Sequence, residues 1–119
     1  MTHPFKRHEV EVLKKLLASE FSDDVFSQLL ANASAPHVEY TDYGFYVSVK
    51  HSAIGKARRV YSGPATLSGR FRGQSAGFVA FLEDDKLTLE IFPCNGEALP
   101  ATFRDSDVQV FNEVPNEKV

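Results

Sequence analysis

The sequence predicts an α+β domain in which an N-terminal helical hairpin packs on an antiparallel sheet of about six strands. Two observations predict it. Hydrophobic residues recur with the period of an α-helix up to about residue 36, and with period two from there to residue 111. The segments of period two follow one another through short turns, and strands that are consecutive in sequence are usually neighbours in a sheet. The 119 residues suffice for one core, so we expect one domain: residues 1–36 form the hairpin, 37–111 the sheet and 112–119 a frayed tail.

Two helices are predicted, over residues 4–19 and 23–33. In the first helix Val12, Leu13 and Leu16 fall on one face. Ser22 precedes the second helix and is a favourable N-cap. The buried face of the second helix is predicted to consist of Val25, Phe26, Leu29, Leu30 and Ala33. The link between the helices is short, so they should form a hairpin.

The clearest strand signal is a hairpin over residues 77–92. Two runs rich in β-forming residues flank Asp84 and Asp85, which suit a two-residue turn. Such a turn pairs Ala80 with Leu89 on the core face, and Val79 with Glu90 on the other. That second face is half apolar, so we expect a helix, a loop, another subunit or a partner to cover it. Further strands are expected near residues 38–40, 45–50, 60–61, 65–72 and 107–111.

Charge is distributed unevenly along the chain. The net charge is −3, but residues 43–82 carry six Lys or Arg and no acidic residue, and residues 83–119 carry nine acidic and three basic residues. The two segments either pair across the sheet or form separate patches, one for an anion and one for a basic partner. We favour pairing, because sequential strands are usually neighbours.

Composition excludes several classes of protein. A single cysteine rules out an intramolecular disulfide framework and a zinc site made of four cysteines. No apolar run approaches the length of a membrane span, and charged residues interrupt the N-terminal segment where a signal peptide would be apolar. We therefore expect a cytoplasmic protein with no membrane association, no cofactor and no metal.

Three residues are candidates for a ligand-binding or catalytic cleft: Glu90, His51 and Cys94. In that interpretation Glu90 acts as a general acid or ligand contact, with a raised pKa. In the structural alternative its carboxylate faces solvent or pairs with a neighbouring arginine such as Arg70 or Arg72. A single carboxylate is not a catalytic dyad. We therefore assign no catalytic residue, and an enzyme ranks below a binding protein.

A second hypothesis is an anion or nucleic-acid site. Aromatic residues lie near five basic ones, Lys56, Arg58, Arg59, Arg70 and Arg72, and this combination is typical of proteins that bind single strands. The sequence pI of about 5.8 is low for such proteins. Nucleic acid therefore ranks below a protein partner.

A third hypothesis uses acidic side chains at turns, which would suit a basic protein partner. They are Asp84, Asp85, Glu97, Asp105 and Asp107. A homodimer through a strand edge or the second sheet face is compatible with all three hypotheses.

The C-terminal half resembles a known group of proteins. The stretch GFVAFLEDDKLTLEIFPCNGEALP at residues 77–100, followed by FRDSDV at residues 103–108, resembles small bacterial proteins of the toxin-immunity type. The matching residues are Leu87, Leu89, Glu90, Gly96 and Pro100. The resemblance implies a non-enzymatic protein that neutralises a toxin domain through a charged surface. The sequence therefore favours a small protein-binding module of immunity or inhibitor type.

Overall fold

Two helices pack on one antiparallel sheet in the computed structural model, which describes residues 5–32, 37–62, 67–94 and 97–112. The helices are α1 (Arg7–Leu16) and α2 (Asp23–Asn32). The described strands are β1 (His37–Tyr40), β2 (Phe45–Lys50), β3 (Arg59–Tyr61), β4 (Leu67–Phe71), β5 (Gln74–Glu83), β6 (Lys86–Pro93) and β7 (Gln109–Asn112). The order of the strands in the sheet is β1-β2-β6-β5-β4-β7. The first part of β5 pairs with β4, and the last part of β5 pairs with β3. The predicted fold class is confirmed, with seven strands in the described residues.

Helix α1 begins later than the sequence predicts. Phe5 and Lys6 precede it, while Pro4, the predicted first residue, lies outside the described residues. The backbone N–H of Lys6 donates a hydrogen bond of 2.8 Å to Oε1 of Glu9. A carboxylate three residues into a helix that accepts from the N-cap backbone stabilises the first turn. This bond fixes the start at Arg7.

Helix α2 has the predicted cap, but its buried face is narrower. Oγ of Ser22 accepts a hydrogen bond of 3.2 Å from the backbone N–H of Val25. The Val25 side chain is 41% exposed, so the prediction that it is buried was wrong. Phe26, Leu29 and Leu30 define the buried face, and Val25 lies at its margin. Ala33 lies outside the described residues.

The β5–β6 hairpin has the predicted register. Ala80 pairs with Leu89, and Val79 pairs with Glu90. Asp84 and Asp85 have φ angles of 53° and 63°. Two consecutive left-handed residues form the turn whose twist matches a hairpin, and aspartate tolerates that conformation better than most residues.

The β4–β5 connection is a second tight turn. Arg72 (φ 51°) and Gly73 (φ 83°) occupy it, and Phe71 pairs with Gln74. The expectation that Arg72 lies on a strand is therefore wrong. The alternating pattern continues through Arg72, so it places the end of the strand one residue beyond Phe71, where β4 ends.

The core lies between the helices and one face of the sheet. Apolar side chains of α1 and α2 pack there against β2, β5 and β6, and Leu99, Phe103 and Val108 close its edge. We call the opposite sheet face the open face. Its central side chains are only half-buried, and they include Tyr46, Val79, Phe81, Thr88, Glu90 and Phe92.

Candidate functional site

A pocket lies on the open face, where the turn between β1 and β2 meets the end of β6. Its volume is about 410 Å³, and we call it the turn pocket. Pockets that hold small ligands measure roughly 300–1,000 Å³, so it suits one side chain or a small molecule. The lining residues that matter here are Thr41, Tyr43, Tyr46, Glu90 and Phe92.

The turn that forms one wall is held by its own hydrogen bonds. Oγ1 of Thr41 accepts from the backbone N–H groups of Tyr43 (3.2 Å) and Gly44 (2.9 Å). A Cβ atom on Gly44 would lie 2.0 Å from the carbonyl oxygen of Ile91, so only glycine lets the turn approach β6 this closely. The N–H of Leu99 donates to the carbonyl of Tyr43 at 2.7 Å. The wall is therefore fixed to both β6 and the loop that follows it.

The floor of the pocket joins an acid to an aromatic alcohol. Tyr46 and Glu90 are strand partners, and the hydroxyl of Tyr46 donates to Oε2 of Glu90 at 3.3 Å. The negative charge of Glu90 is the main cause that raises the pKa of Tyr46, with smaller contributions from desolvation and from Glu39 on β1. Tyr46 therefore stays a protonated hydrogen-bond donor at neutral pH.

Phe92 provides another aromatic surface of the pocket. It is the strand partner of Gly77, and a Cβ atom on Gly77 would lie 2.5 Å from the Phe92 ring. The ring therefore occupies the space above the glycine, an arrangement that fixes aromatic side chains on sheets.

The chemistry of this arrangement favours a cation. Aromatic ring faces and a carboxylate both attract positive charge. In the part of the chain that the structure describes, no group of three His, Cys, Asp or Glu side chains could hold a metal ion.

The three cleft candidates are not brought together. The half-buried Glu90 contacts Tyr46, and not Arg70 or Arg72 as one form of the structural alternative expected. Cys94 is exposed just after β6, and its N–H donates to the carbonyl of Ser75. His51 follows the other end of β2, five residues or about 16 Å along the strand from Tyr46. Its Nδ1 accepts from the N–H of Ala53 at 3.0 Å and caps a turn of 3-10 helix.

The basic residues at 56–59 are engaged by acidic side chains. Lys56 pairs with Asp85 (2.9 Å), Arg58 with Glu83 (3.5 Å) and Arg59 with Glu20 (3.0 Å). Two of these three pairs join the basic middle segment to the acidic C-terminal one. They agree with the favoured interpretation of the uneven charge, pairing between neighbouring segments.

The other two basic candidates lie elsewhere on the sheet. The Arg70 guanidinium lies 4.6 Å from the ring centre of Phe111, and that of Arg72 lies 5.3 Å from the ring centre of Phe71. Arg59 pairs with Leu82 of β5, and Arg70 pairs with Ser75 of the same strand. These two positions on β5 are about 23 Å apart along the strand. The five basic residues therefore form two groups.

The acidic turn residues also lie in separate places. Asp84 and Asp85 follow the last residue of β5. Asp107 precedes β7, which lies beside β4 near the opposite end of β5: Gln109 pairs with Arg70 of β4, and Arg70 pairs with Ser75 of β5. Asp105 pairs with Lys6 (2.7 Å) and Asp107 with Arg7 (2.8 Å), and Glu97 is exposed.

Most of the turn pocket was not predicted from the sequence. Glu90 was expected on the second sheet face, opposite Val79, but no sequence pattern placed β2 beside β6. That pairing joins strands 44 residues apart at Tyr46 and Glu90. The sequence does carry one signal of the pocket. Tyr43 and Gly44 lie between two strand patterns, and this pair indicates a turn that carries an aromatic side chain.

Comparison with known proteins finds no matching family model, and no curated protein or solved structure shows significant similarity to the chain. The resemblance of residues 77–108 to immunity-type proteins therefore stays a hypothesis. None of the described helices has the length and hydrophobicity that crossing a membrane requires.

Proposed function

We propose that this protein is a non-enzymatic protein-binding module that binds a basic segment of a partner protein with its open face. The observation that carries the proposal is the composition of this face. Half-buried apolar side chains, Val79 and Phe81, lie at its centre beside Val60, which is 46% exposed. Apolar side chains at the centre of a surface with a polar rim are typical of protein interfaces.

The charge of the face supports a basic partner. Glu39, Tyr46 and Glu90 lie in one row across β1, β2 and β6, and Asp42 is exposed in the adjoining turn. Among the described residues, no Lys, Arg or His forms an ion pair with the carboxylates of Glu39, Asp42 and Glu90. This end of the open face is therefore complementary to positive charge.

The acidic turn residues are weaker candidates for the main contact. Asp85, Asp105 and Asp107 each have a cationic partner within the chain, so a basic partner would have to compete with it. The anion hypothesis meets the same difficulty, because the cations at 56–59 face acidic side chains. A toxin domain with a basic surface, as the resemblance implies, would fit the open face.

The proposal is tested by photo-crosslinking from one position on each side of the molecule. A benzophenone amino acid replaces Thr88 on the open face in one variant, and Glu11, exposed on α1, in the control. We expect the Thr88 variant to crosslink in its native lysate to one protein, which is then purified and titrated with the wild type. Phe81→Ser should weaken that binding at least tenfold, since it removes an apolar contact from the centre of the face.

Several results would contradict the proposal. They are the absence of a crosslinked protein, crosslinking from position 11 instead of 88, and unchanged affinity of Phe81→Ser. Crosslinking of the chain to itself would identify the open face as a dimer interface and would also contradict a basic partner. Circular dichroism of each variant checks that the fold is retained.

A further inference from the structure

We infer that the turn pocket binds the guanidinium group of an arginine side chain that the partner protein presents. This inference rests on the proposed function and adds the chemical group that the pocket takes. It combines the aromatic rings, the Glu90 carboxylate and the rigidity of the pocket walls.

The rings provide faces on which a planar cation can stack. Tyr43 is 67% exposed, and Tyr46 and Phe92 are half-buried, so ring surface remains accessible on the lining. A guanidinium stacks on aromatic faces and is more weakly hydrated than an ammonium group. Both properties favour arginine over lysine.

The Glu90 carboxylate supplies the charged acceptor. Its Oε2 accepts the long 3.3 Å hydrogen bond of the Tyr46 hydroxyl, and no donor among the described residues contacts its Oε1. A carboxylate with accessible oxygen matches the fork of N–H donors on arginine. The Glu39 carboxylate in the next strand adds negative charge to the same row.

The walls are fixed before any ligand arrives. Thr41 closes the turn with three hydrogen bonds to Tyr43 and Gly44, and Gly44 lies against the backbone of β6. Phe92 is held above Gly77. Because few groups need to be ordered on binding, even one side chain can be bound measurably.

The probe that tests the inference is N-acetyl-arginine amide, added to the isotopically labelled protein and followed by NMR. We expect shifts of the backbone amides of Gly44 and Phe92 that saturate with a dissociation constant on the order of millimolar, as one partly exposed cation site allows. The citrulline amide has the same shape without the charge and should give no saturable shift. The lysine amide should bind more weakly than the arginine amide.

Two variants assign the binding to the pocket. Glu90→Gln keeps the size of the side chain and should weaken arginine-amide binding about three- to tenfold. Tyr43→Ala removes an exposed ring and should weaken it about two- to fivefold. Glu83→Gln makes the same chemical change on the same face at the far end of β5 and should leave binding unchanged.

Three outcomes would overturn the inference: no shift at the pocket amides, equal binding of the citrulline or lysine amide, or unchanged binding by Glu90→Gln. The Thr88 crosslinking experiment does not depend on this result. A partner crosslinked at position 88 without an arginine-amide response would remove the guanidinium site and leave the open face as an interface.

Discussion

The carboxylate of Glu9 and the guanidinium of Arg104 form two hydrogen bonds inside the protein, although 95 residues separate them in sequence. Nε of Arg104 donates to Oε2 of Glu9 at 2.7 Å, and Nη2 donates to Oε1 at 3.0 Å. Glu9 is fully buried, and Arg104 is 9% exposed. Desolvation raises the pKa of Glu9, while the charge of Arg104 and the N–H of Lys6 oppose that shift. The pair connects α1 to the segment that precedes β7.

Breaking this pair from one side should destabilise the protein strongly. Glu9→Gln leaves the Arg104 charge buried without its counter-charge, which costs about 3–5 kcal/mol of unfolding free energy in comparable sites. Glu11→Gln makes the same change at an exposed position of α1 and should have little effect. Urea denaturation followed by circular dichroism measures both.

Replacement of both partners separates pairing from packing. Glu9→Leu combined with Arg104→Met removes both charges and should recover most of the stability that Glu9→Gln loses, because the desolvation cost disappears together with the pairing. The hydrogen bond from the Lys6 N–H is lost as well, which leaves a deficit of about 1 kcal/mol. A double variant as unstable as Glu9→Gln would show that the pair contributes net stability beyond the avoidance of a lone charge.

His8 should make stability depend on pH. Burial is the main cause that lowers its pKa from 6.5 to about 4, and nearby arginines add to the effect. The unfolded chain thus binds a proton more readily than the folded one, so the contribution is complete above pH 6.5 and is lost as the pH falls towards 4. The loss is at most about 3 kcal/mol. The charged groups that face His8 are Lys6, Arg7, Glu9, Arg104 and Asp107.

The variant His8→Leu isolates this contribution. The raised pKa of Glu9 acts in the opposite direction, since a folded state that binds its proton more tightly gains stability as the pH falls. Both proteins contain Glu9, so the decrease in unfolding free energy from pH 7 to pH 4 should be larger in the wild type than in the variant. Equal decreases would show that His8 titrates normally.

Local chemistry allowed much of the sheet to be predicted. Asp84 and Asp85 between two runs of β-forming residues specified a two-residue turn. A turn of known length determines which residues of the two strands pair and on which face of the sheet each side chain lies. The pairing of Val79 with Glu90 followed from counting alone. The Ser22 cap was predictable for the same reason, because it depends on groups three residues apart.

Contacts between distant segments could not be predicted in this way. Glu9 belongs to an amphipathic helix, where an acid is expected on the solvent face, and its burial depends on the distant Arg104. The Tyr46–Glu90 contact depends on β2 lying beside β6, and periodicity carries no information about strand order. Of the residues that line the turn pocket, only Glu90 was therefore a candidate from the sequence, and the pocket itself was not predicted.

Gly44 in the pocket wall and Gly77 beneath the Phe92 ring should differ in their tolerance of a methyl group. Gly44→Ala places Cβ 2.0 Å from a backbone carbonyl oxygen, which cannot move without disturbing β6, and it should cost about 3 kcal/mol. Gly77→Ala meets the Phe92 ring at 2.5 Å, and because a side chain can rotate away it should cost about 1–2 kcal/mol. Thermal or urea unfolding ranks the two variants.

A double variant tests the cause of the smaller effect. Phe92→Leu removes the ring that the new methyl group meets, so Gly77→Ala should cost less in that background than in the wild type. A cost that does not depend on the residue at position 92 would assign the effect to the strand backbone instead.

Cys94 should behave as an ordinary, poorly ionised thiol in spite of its exposure. Desolvation raises its pKa above the usual value, and the charge of Arg70 only partly opposes that. Since the thiolate is the nucleophile, alkylation by iodoacetamide should be slow at pH 7 and should still be accelerating above pH 9. Arg70→Gln removes the opposing charge and should shift the pH–rate profile to still higher pH.

A rate that levels off below pH 8 would instead reveal an activated thiol, and Cys94 would return as a candidate for covalent chemistry. The expected profile leaves the pocket around Glu90, and not the cysteine beyond it, as the site on this sheet that is suited to a ligand.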